Sequence, residues 1–322
     1  MEISKSNQSN QSQFRQYLQS KNLAQITQGR YLNFVEIFFK WAKKEDIQVT
    51  KPDILKHLEY LKKRKGLQNI TRNNHLIALK HYFTYLYQNE QIATNPCSFL
   101  KIRGTRKKML YKIYTPDELD TLFDNYYHYF VRGYDDNHIP KNQRKQAKLN
   151  RQRNAVILSV LLNQGIGVSE VEKIELGDLD LIKATIKIRS AKRLNGRTLP
   201  LKATQIGVLL DYLQNIRPQF VEYQKNESQK LFLPLPMASH KTATNDSLKY
   251  AIKPITKQIE IIDKQFLNFM QIRASVITFW IKTHGLRKAQ YMAGHRYIGG
   301  TENYLPNDID NLIDDINKLH PF

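Results

Sequence analysis

Residues 269–305 read FMQIRASVITFWIKTHGLRKAQYMAGHRYIGGTENYL. Most of this stretch has the apolar density of a buried helix, yet Arg273, the pair Gly294-His295 and Tyr304 interrupt it. An arginine, a histidine and a tyrosine set into an apolar frame are suited to holding an anion, because burial strengthens each of their interactions with it.

The chain has 322 residues, enough for two domains with separate cores, and its 41% hydrophobic content is that of a folded protein. Fifty Lys and Arg residues against 29 Asp and Glu give a formal charge of +21. Such an excess calls for a polyanionic partner, and nucleic acid is the first candidate. No apolar run is long enough to span a membrane. The N-terminus, MEISKSNQSNQSQ, has no apolar core of a secretory signal. One cysteine, Cys97, leaves no internal disulfide framework, so an intracellular, cytoplasmic protein is expected.

Residues 1–12 are polar and are expected to form a disordered tail. Helical periodicity then recurs. A short helix is expected around Phe14 to Ser20. Tyr31, Val35, Phe38, Phe39 and Ala42 mark one apolar face, Ile54, Leu58 and Leu61 a second behind Pro52, and Leu76, Leu79, Phe83 and Leu86 a third with Thr71 as its N-cap. Residues 13–95 thus form a small all-helical domain. Residues 96–114 break the pattern with Pro96 and Gly104 and carry Lys101, Arg103, Arg106, Lys107 and Lys108, a basic linker able to follow a phosphate backbone.

The second domain, 115–322, opens on Thr115-Pro116-Asp117-Glu118, a capping box with proline in the first turn. From His138 to Arg153 the chain is again basic, with Lys141, Arg144 and Lys145, and reads as an inserted loop that contacts DNA. Gly165 and Gly167 follow an apolar helix, but Glu170 stands where a dinucleotide fingerprint requires its third glycine. Period-two alternation at Ile186 and Ile188, the turn pair Asn195-Gly196 and the return at Thr198 to Leu201 predict a β-hairpin with Lys192 and Arg193 near its tip. Arg193 and Arg197 extend the basic surface expected to meet DNA.

This order of parts resembles the tyrosine recombinases, or phage-integrase-type recombinases, from about residue 12 to the end. The spacing of Gly294-His295 to Tyr304 is its most specific element, and the hairpin lysine followed by an arginine and Pro-Leu is the next. The resemblance implies a mainly α fold: an N-terminal helical, SAM-like core-binding domain and a catalytic-type domain with a small antiparallel sheet, closing on duplex DNA as a clamp. It implies Tyr304 as nucleophile, Arg273 as the second arginine of the family's pair, Lys192 as general acid and His295 as phosphate ligand or proton relay. A tyrosine that attacks a phosphodiester keeps the bond energy in a 3′-phosphotyrosyl link, so no metal or nucleotide cofactor is implied. Two positions depart from the pattern. Gly167 stands for the first arginine in GIGVSE, and Met270 for the histidine in FMQIRAS.

Two functions are therefore expected. One is a DNA strand-exchanging recombinase or integrase of a mobile element, oligomeric on DNA and nucleoid-associated there, with Arg153 as the substitute cation. The other is a catalytically impaired DNA-binding member acting beside an active recombinase. A basic helical nucleic-acid-binding protein of other ancestry leaves the spacing from 294 to 304 unexplained. The tail's Ile309, Leu312, Ile313 and Ile316 fall on one helical face, suited to docking on a neighbouring protomer or on the chain's own domain.

Overall fold

The computed structural model describes residues 5–104, 111–191, 194–235 and 249–305, and the chain divides into two compact units, Met1–Met109 and Leu110–Phe322. Among the described residues no helix is long and apolar enough to cross a membrane.

Among its described residues the first unit has four α-helices, α1 Lys5–Ser20, α2 Gln25–Ala42, α3 Lys51–Lys63 and α4 Asn69–Gln88, with a 3-10 turn at Asp46–Gln48. The expected stripes do face the core, with Val35, Phe38 and Phe39 of α2 and Leu76, Leu79, Phe83 and Leu86 of α4 all buried. Each such side chain contributes about 2 kcal/mol by leaving water. Phe14 stands edge-on to Tyr82 at 5.0 Å, joining α1 to α4.

Two N-terminal expectations change. The helix ending at Ser20 starts at Lys5, inside the stretch read as a disordered tail, because Asn10 donates to Asp46 at 2.6 Å while Phe14 and Leu18 bury completely. The N-cap of α4 is Gln68 rather than Thr71, which lies inside the helix. For α3 the cap is Thr50 in a capping box with Asp53.

The second unit builds around α6, Lys141–Gln164, whose residues Ala155 to Leu162 are buried on every side. Helix α5, Pro116–Tyr127, packs on it and opens with the expected capping box, Thr115 N–H donating to Glu118 Oε2 at 2.8 Å. The basic stretch from 141 to 153 is not a loop but the first half of α6. Lys, Gln, Arg and Ala are good helix formers even without an apolar stripe, so composition alone hid the helix.

Strands β1 (Leu179–Asp180), β2 (Thr185–Ile188) and β3 (Arg197–Pro200) form an antiparallel sheet in that order. Ile186 faces Leu199 and Ile188 faces Arg197. Alternation sends Lys187 and Thr198 to solvent and Ile186, Ile188, Leu199 and Arg197 inward. Short α7 (Val168–Val171), α8 (Ala203–Asp211) and α9 (Arg217–Val221) precede α10 (Lys249–Ile262), α11 (Phe269–Ala293) and α12 (Gly299–Glu302). Helix α11 is broken at Gly285, whose φ of 76° is open to glycine at little cost.

Candidate active site

Helix α6 ends at Gly165, in the left-handed region at φ 53°, where a Cβ would lie 2.8 Å from Val276 Cγ1. The turn that follows brings Glu170 of α7 back beneath it. Gly167 N–H donates to Glu170 Oε2 at 2.8 Å, and the carboxylate is only 3% exposed. A carboxylate this deep needs cations beside it, and two are present.

Arg273, on the second turn of α11, ties four parts of the unit together. Its Nη1 donates to Gly165 O at 2.6 Å and lies 3.4 Å from Glu170 Oε2. Its Nη2 donates to Ala293 O at 2.9 Å and lies 3.4 Å from His295 Nε2. The fixed fork of a guanidinium makes this possible, since one planar group serves partners in two directions.

The second cation is Arg197. Its Nη1 donates to Glu170 Oε1 at 2.7 Å and its Nε to Met292 O at 2.6 Å. The arginine was expected on the DNA-facing surface, and this placement corrects that: its side chain is fully buried because β3 turns position 197 to the same side as Leu199. Gly294, at φ 73°, caps α11, and a Cβ there would lie 2.5 Å from Arg197 Nη1. The glycine of the Gly-His pair is thus required twice, by its backbone angle and by the guanidinium beneath it.

Beyond the cap, His295 is held between two partners. Nδ1 lies 2.9 Å from Thr301 Oγ1 and Nε2 faces Arg273. Burial and then the charges of Arg273 and Arg197 push its pKa down to about 4, so the ring is neutral at pH 7. The Tyr304 ring lies parallel to it, centroids 5.8 Å apart at 10°. Tyr304 is half-buried. The end of the hairpin joins the same place: Asn195 N–H donates to Gly294 O at 2.8 Å, and Leu194 bridges to His295. A neutral imidazole, a phenol and two guanidiniums sharing one carboxylate suit the binding of a phosphodiester and attack on it.

Both units match known protein families in sequence. Residues 137–310 match the phage integrase family, and residues 11–93 its N-terminal SAM-like domain. The chain belongs to the phage integrase family. Among curated integrase-family relatives, the tyrosine recombinase XerC of Oceanobacillus iheyensis is 26% identical over 96% of this chain and 94% of its own, and XerC of Thermodesulfovibrio yellowstonii is 28% identical over 90% and 89%. Two solved structures share the fold. The XerH site-specific recombinase bound to palindromic difH substrate has a TM-score of 0.66 at 18% identity, covering 95% of this chain and 84% of that one. The lambda integrase dimer bound to a COC′ core site has a TM-score of 0.59 at 12% identity, covering 94% and 95%.

Measured against the integrase pattern, the structure brings Arg273, His295, Tyr304 and the turn at Gly167 together. Met270 lies three residues before Arg273, in the first turn of α11 and 51% exposed, its N–H held by the Asn268 cap. Lys192 and Arg193 lie outside the described residues, as do Arg106, Lys107, Lys108 and the tail with Ile309, Leu312, Ile313 and Ile316. Lys101, Arg103 and Lys141 are exposed, Arg144 is engaged by Ile139 O and Asn137 O, and Lys145 lies 3.8 Å from Glu222. Arg153, expected as the substitute cation, is elsewhere: it donates to Leu233 O and Asn154 Oδ1 and packs over the Phe220 ring. Glu170 and Thr301 were missed as site residues.

Proposed function

We propose that this integrase-family chain is a site-specific DNA recombinase that binds duplex DNA and exchanges strands through a 3′-phosphotyrosyl intermediate. The observation that carries this reading is the stacking of Tyr304 on His295, with His295 in turn against Arg273. Tyr304 Oη attacks phosphorus, a P–O bond to the tyrosine forms, and the 5′ oxygen leaves with a proton. The neutral His295, its Nε2 an acceptor, takes up the phenolic proton, and Arg273 meets the charge that grows on the non-bridging oxygens. Lys192, in the hairpin that reaches this corner, is the candidate donor to the leaving oxygen. The basic positions Lys101, Arg103 and Lys141 supply contacts to the phosphate backbone, so affinity falls steeply with salt.

The test is covalent capture. The full chain is incubated with a library of nicked duplexes, denatured, and recovered with any DNA attached to it. Duplexes captured by the wild type and lost with Tyr304→Phe are the expected result, and their absence sinks the proposal.

A second reading rests on Gly167 and Met270, neither of which offers a side-chain donor to a phosphate. It makes the chain a DNA-binding accessory to an active recombinase. Under it, Tyr304→Phe leaves a partner's recombination intact, whereas the first reading requires that substitution to abolish product.

A further inference from the structure

The last described residues of the first unit are NPCSFLKIRG, 95–104, and this strap is fastened along its length. Asn95 Nδ2 donates to Thr84 Oγ1 at 3.1 Å, and Asn95 Oδ1 accepts from Cys97 N–H at 2.8 Å. Cys97 and Leu100 are buried in the four-helix core, and Ile102 packs against it. Further on, Asn69 Nδ2 of α4 donates to Arg103 O at 3.0 Å.

Between those anchors Phe99 stands 95% exposed with φ at 59°, the third residue of a turn closed by Leu100 N–H on Cys97 O at 3.3 Å. The left-handed region crowds Cβ against the next carbonyl oxygen, so this place in a turn favours glycine or asparagine. The other non-glycine residues at positive φ among those described are Asn22, Lys43, Glu90 and Ala184, none of them aromatic. Phe99 therefore disfavours the free unit twice, through backbone strain and through an aromatic ring left in water. Its neighbours' anchors hold it there. A strained residue that its surroundings over-determine points to a role outside the fold.

The charges beside the ring indicate the partner. Leu100 and Ile102 turn toward the core, so Lys101 and Arg103 turn to solvent, as Phe99 does, and neither cation has an ion pair among the described residues. An apolar plate followed by two free cations suits a duplex, where phosphates run beside stacked bases, and the chain's formal charge of +21 favours the same partner. We propose that Phe99 is an apolar wedge against duplex DNA. Lys101 and Arg103 hold the phosphates, and the ring enters a base step and partly unstacks it. Because the strap already fixes the backbone at 99, little freedom is lost when the ring enters. This rests on the DNA-binding part of the reading above and not on strand cleavage.

The experiment uses the full chain and a mixed-sequence duplex carrying 2-aminopurine, which brightens when unstacked, at its pyrimidine–purine steps, the ones that open most easily. Wild type is expected to raise the fluorescence on binding. Phe99→Asn is expected to remove most of that rise and to weaken binding about tenfold with the salt slope unchanged. Lys101→Gln with Arg103→Gln is expected instead to lower the slope by about two. Phe99→Trp keeps a plate and is expected to keep the rise. Asparagine tolerates the left-handed region, so Phe99→Asn is expected to have a urea midpoint at or above that of wild type, which separates a lost contact from misfolding. A lower midpoint would make Phe99 a packing residue and overturn the inference, as would wild-type affinity and fluorescence in Phe99→Asn. A dimer of the DNA-free protein that Phe99→Asn dissociates would give the ring to a second copy, and also overturns it. If wild type binds the duplex without any rise in fluorescence, the inference falls and the DNA-binding reading stands. If wild type binds no duplex, that reading fails and takes the inference with it.

Discussion

His295 Nδ1 lies 2.9 Å from Thr301 Oγ1, and the proton between them belongs to the histidine. Arg273 faces the other ring nitrogen at 3.4 Å and can only donate, so Nε2 is the acceptor and Nδ1 carries the hydrogen. Thr301, fully buried in α12, thereby selects the tautomer of a ring that stands just beyond the cap of α11. Thr301→Val keeps the shape and removes the acceptor. It is expected to lower the rate of covalent adduct formation about tenfold or more while leaving DNA binding unchanged. Adduct formation at the wild-type rate, with the fold intact by circular dichroism, contradicts this role.

The acid limb of the pH profile follows from the same ring. Burial first, then Arg273 and Arg197, hold the His295 pKa at about 4 against an ordinary value of 6.5. The neutral form therefore persists through the range where a free histidine would charge. Single-turnover adduct formation is expected to show no inflection near pH 6.5 and to weaken only as pH approaches 4. An inflection near 6.5 that disappears in His295→Gln would show that the ring is charged in the working site.

Arg273, proposed above to meet the phosphate, also supports the fold. It donates to Gly165 O and Ala293 O, the carbonyls that end α6 and α11, and both bonds are buried. Arg273→Ala leaves those carbonyls without their donor, at a cost of about 3 kcal/mol. Arg273→Lys keeps the charge but cannot reach both carbonyls, and is expected to recover less than half of that loss. Urea midpoints followed at Trp280, on the same helix, check both values.

Much of this was legible in the sequence. The helical stripes of α2, α3 and α4, the capping box at Thr115 and the hairpin pairing of Ile186 and Ile188 all rest on local periodicity, which a sequence displays directly. Arg273, His295 and Tyr304 lie along one stretch, so their spacing could be read. Arg197 was misplaced although the signal was present. It stands two residues before Leu199 on a strand, and alternation alone puts the two on one face. Its charge argues for the surface against its register, because arginine is rarely buried without a partner, and the partner, Glu170, is 27 residues away. Arg153 failed for the converse reason: sequence proximity to Gly167 said nothing about which way a residue on α6 faces. The helix over 141–153 was missed because its solvated turns carry no apolar stripe.

The N-terminal unit holds a second titratable site. His57 is fully buried and His75 nearly so, with ring centroids 6.1 Å apart, inside a cage of Phe34, Phe38, Trp41 and Tyr60. Neither ring nitrogen of His57 has a hydrogen-bond partner among the described residues. Burial, and then the charge His75 would carry, push the His57 pKa down to about 4, and burial lowers that of His75 as well. Between about 4 and 6.5 the unfolded chain binds protons that the folded unit refuses, so stability falls as pH drops through that window and is fully present above it. For His57 alone the loss is about 3 kcal/mol at pH 4 relative to pH 7. Trp41, 4.9 Å from His57, reports it. In a Trp280→Phe background the Trp41 unfolding midpoint in urea is expected to decline from pH 7 to pH 4.5, and His57→Phe, which suits the aromatic cage, to flatten most of that decline. A midpoint already flat across that range in the parent would mean that the pair is not held neutral by the fold.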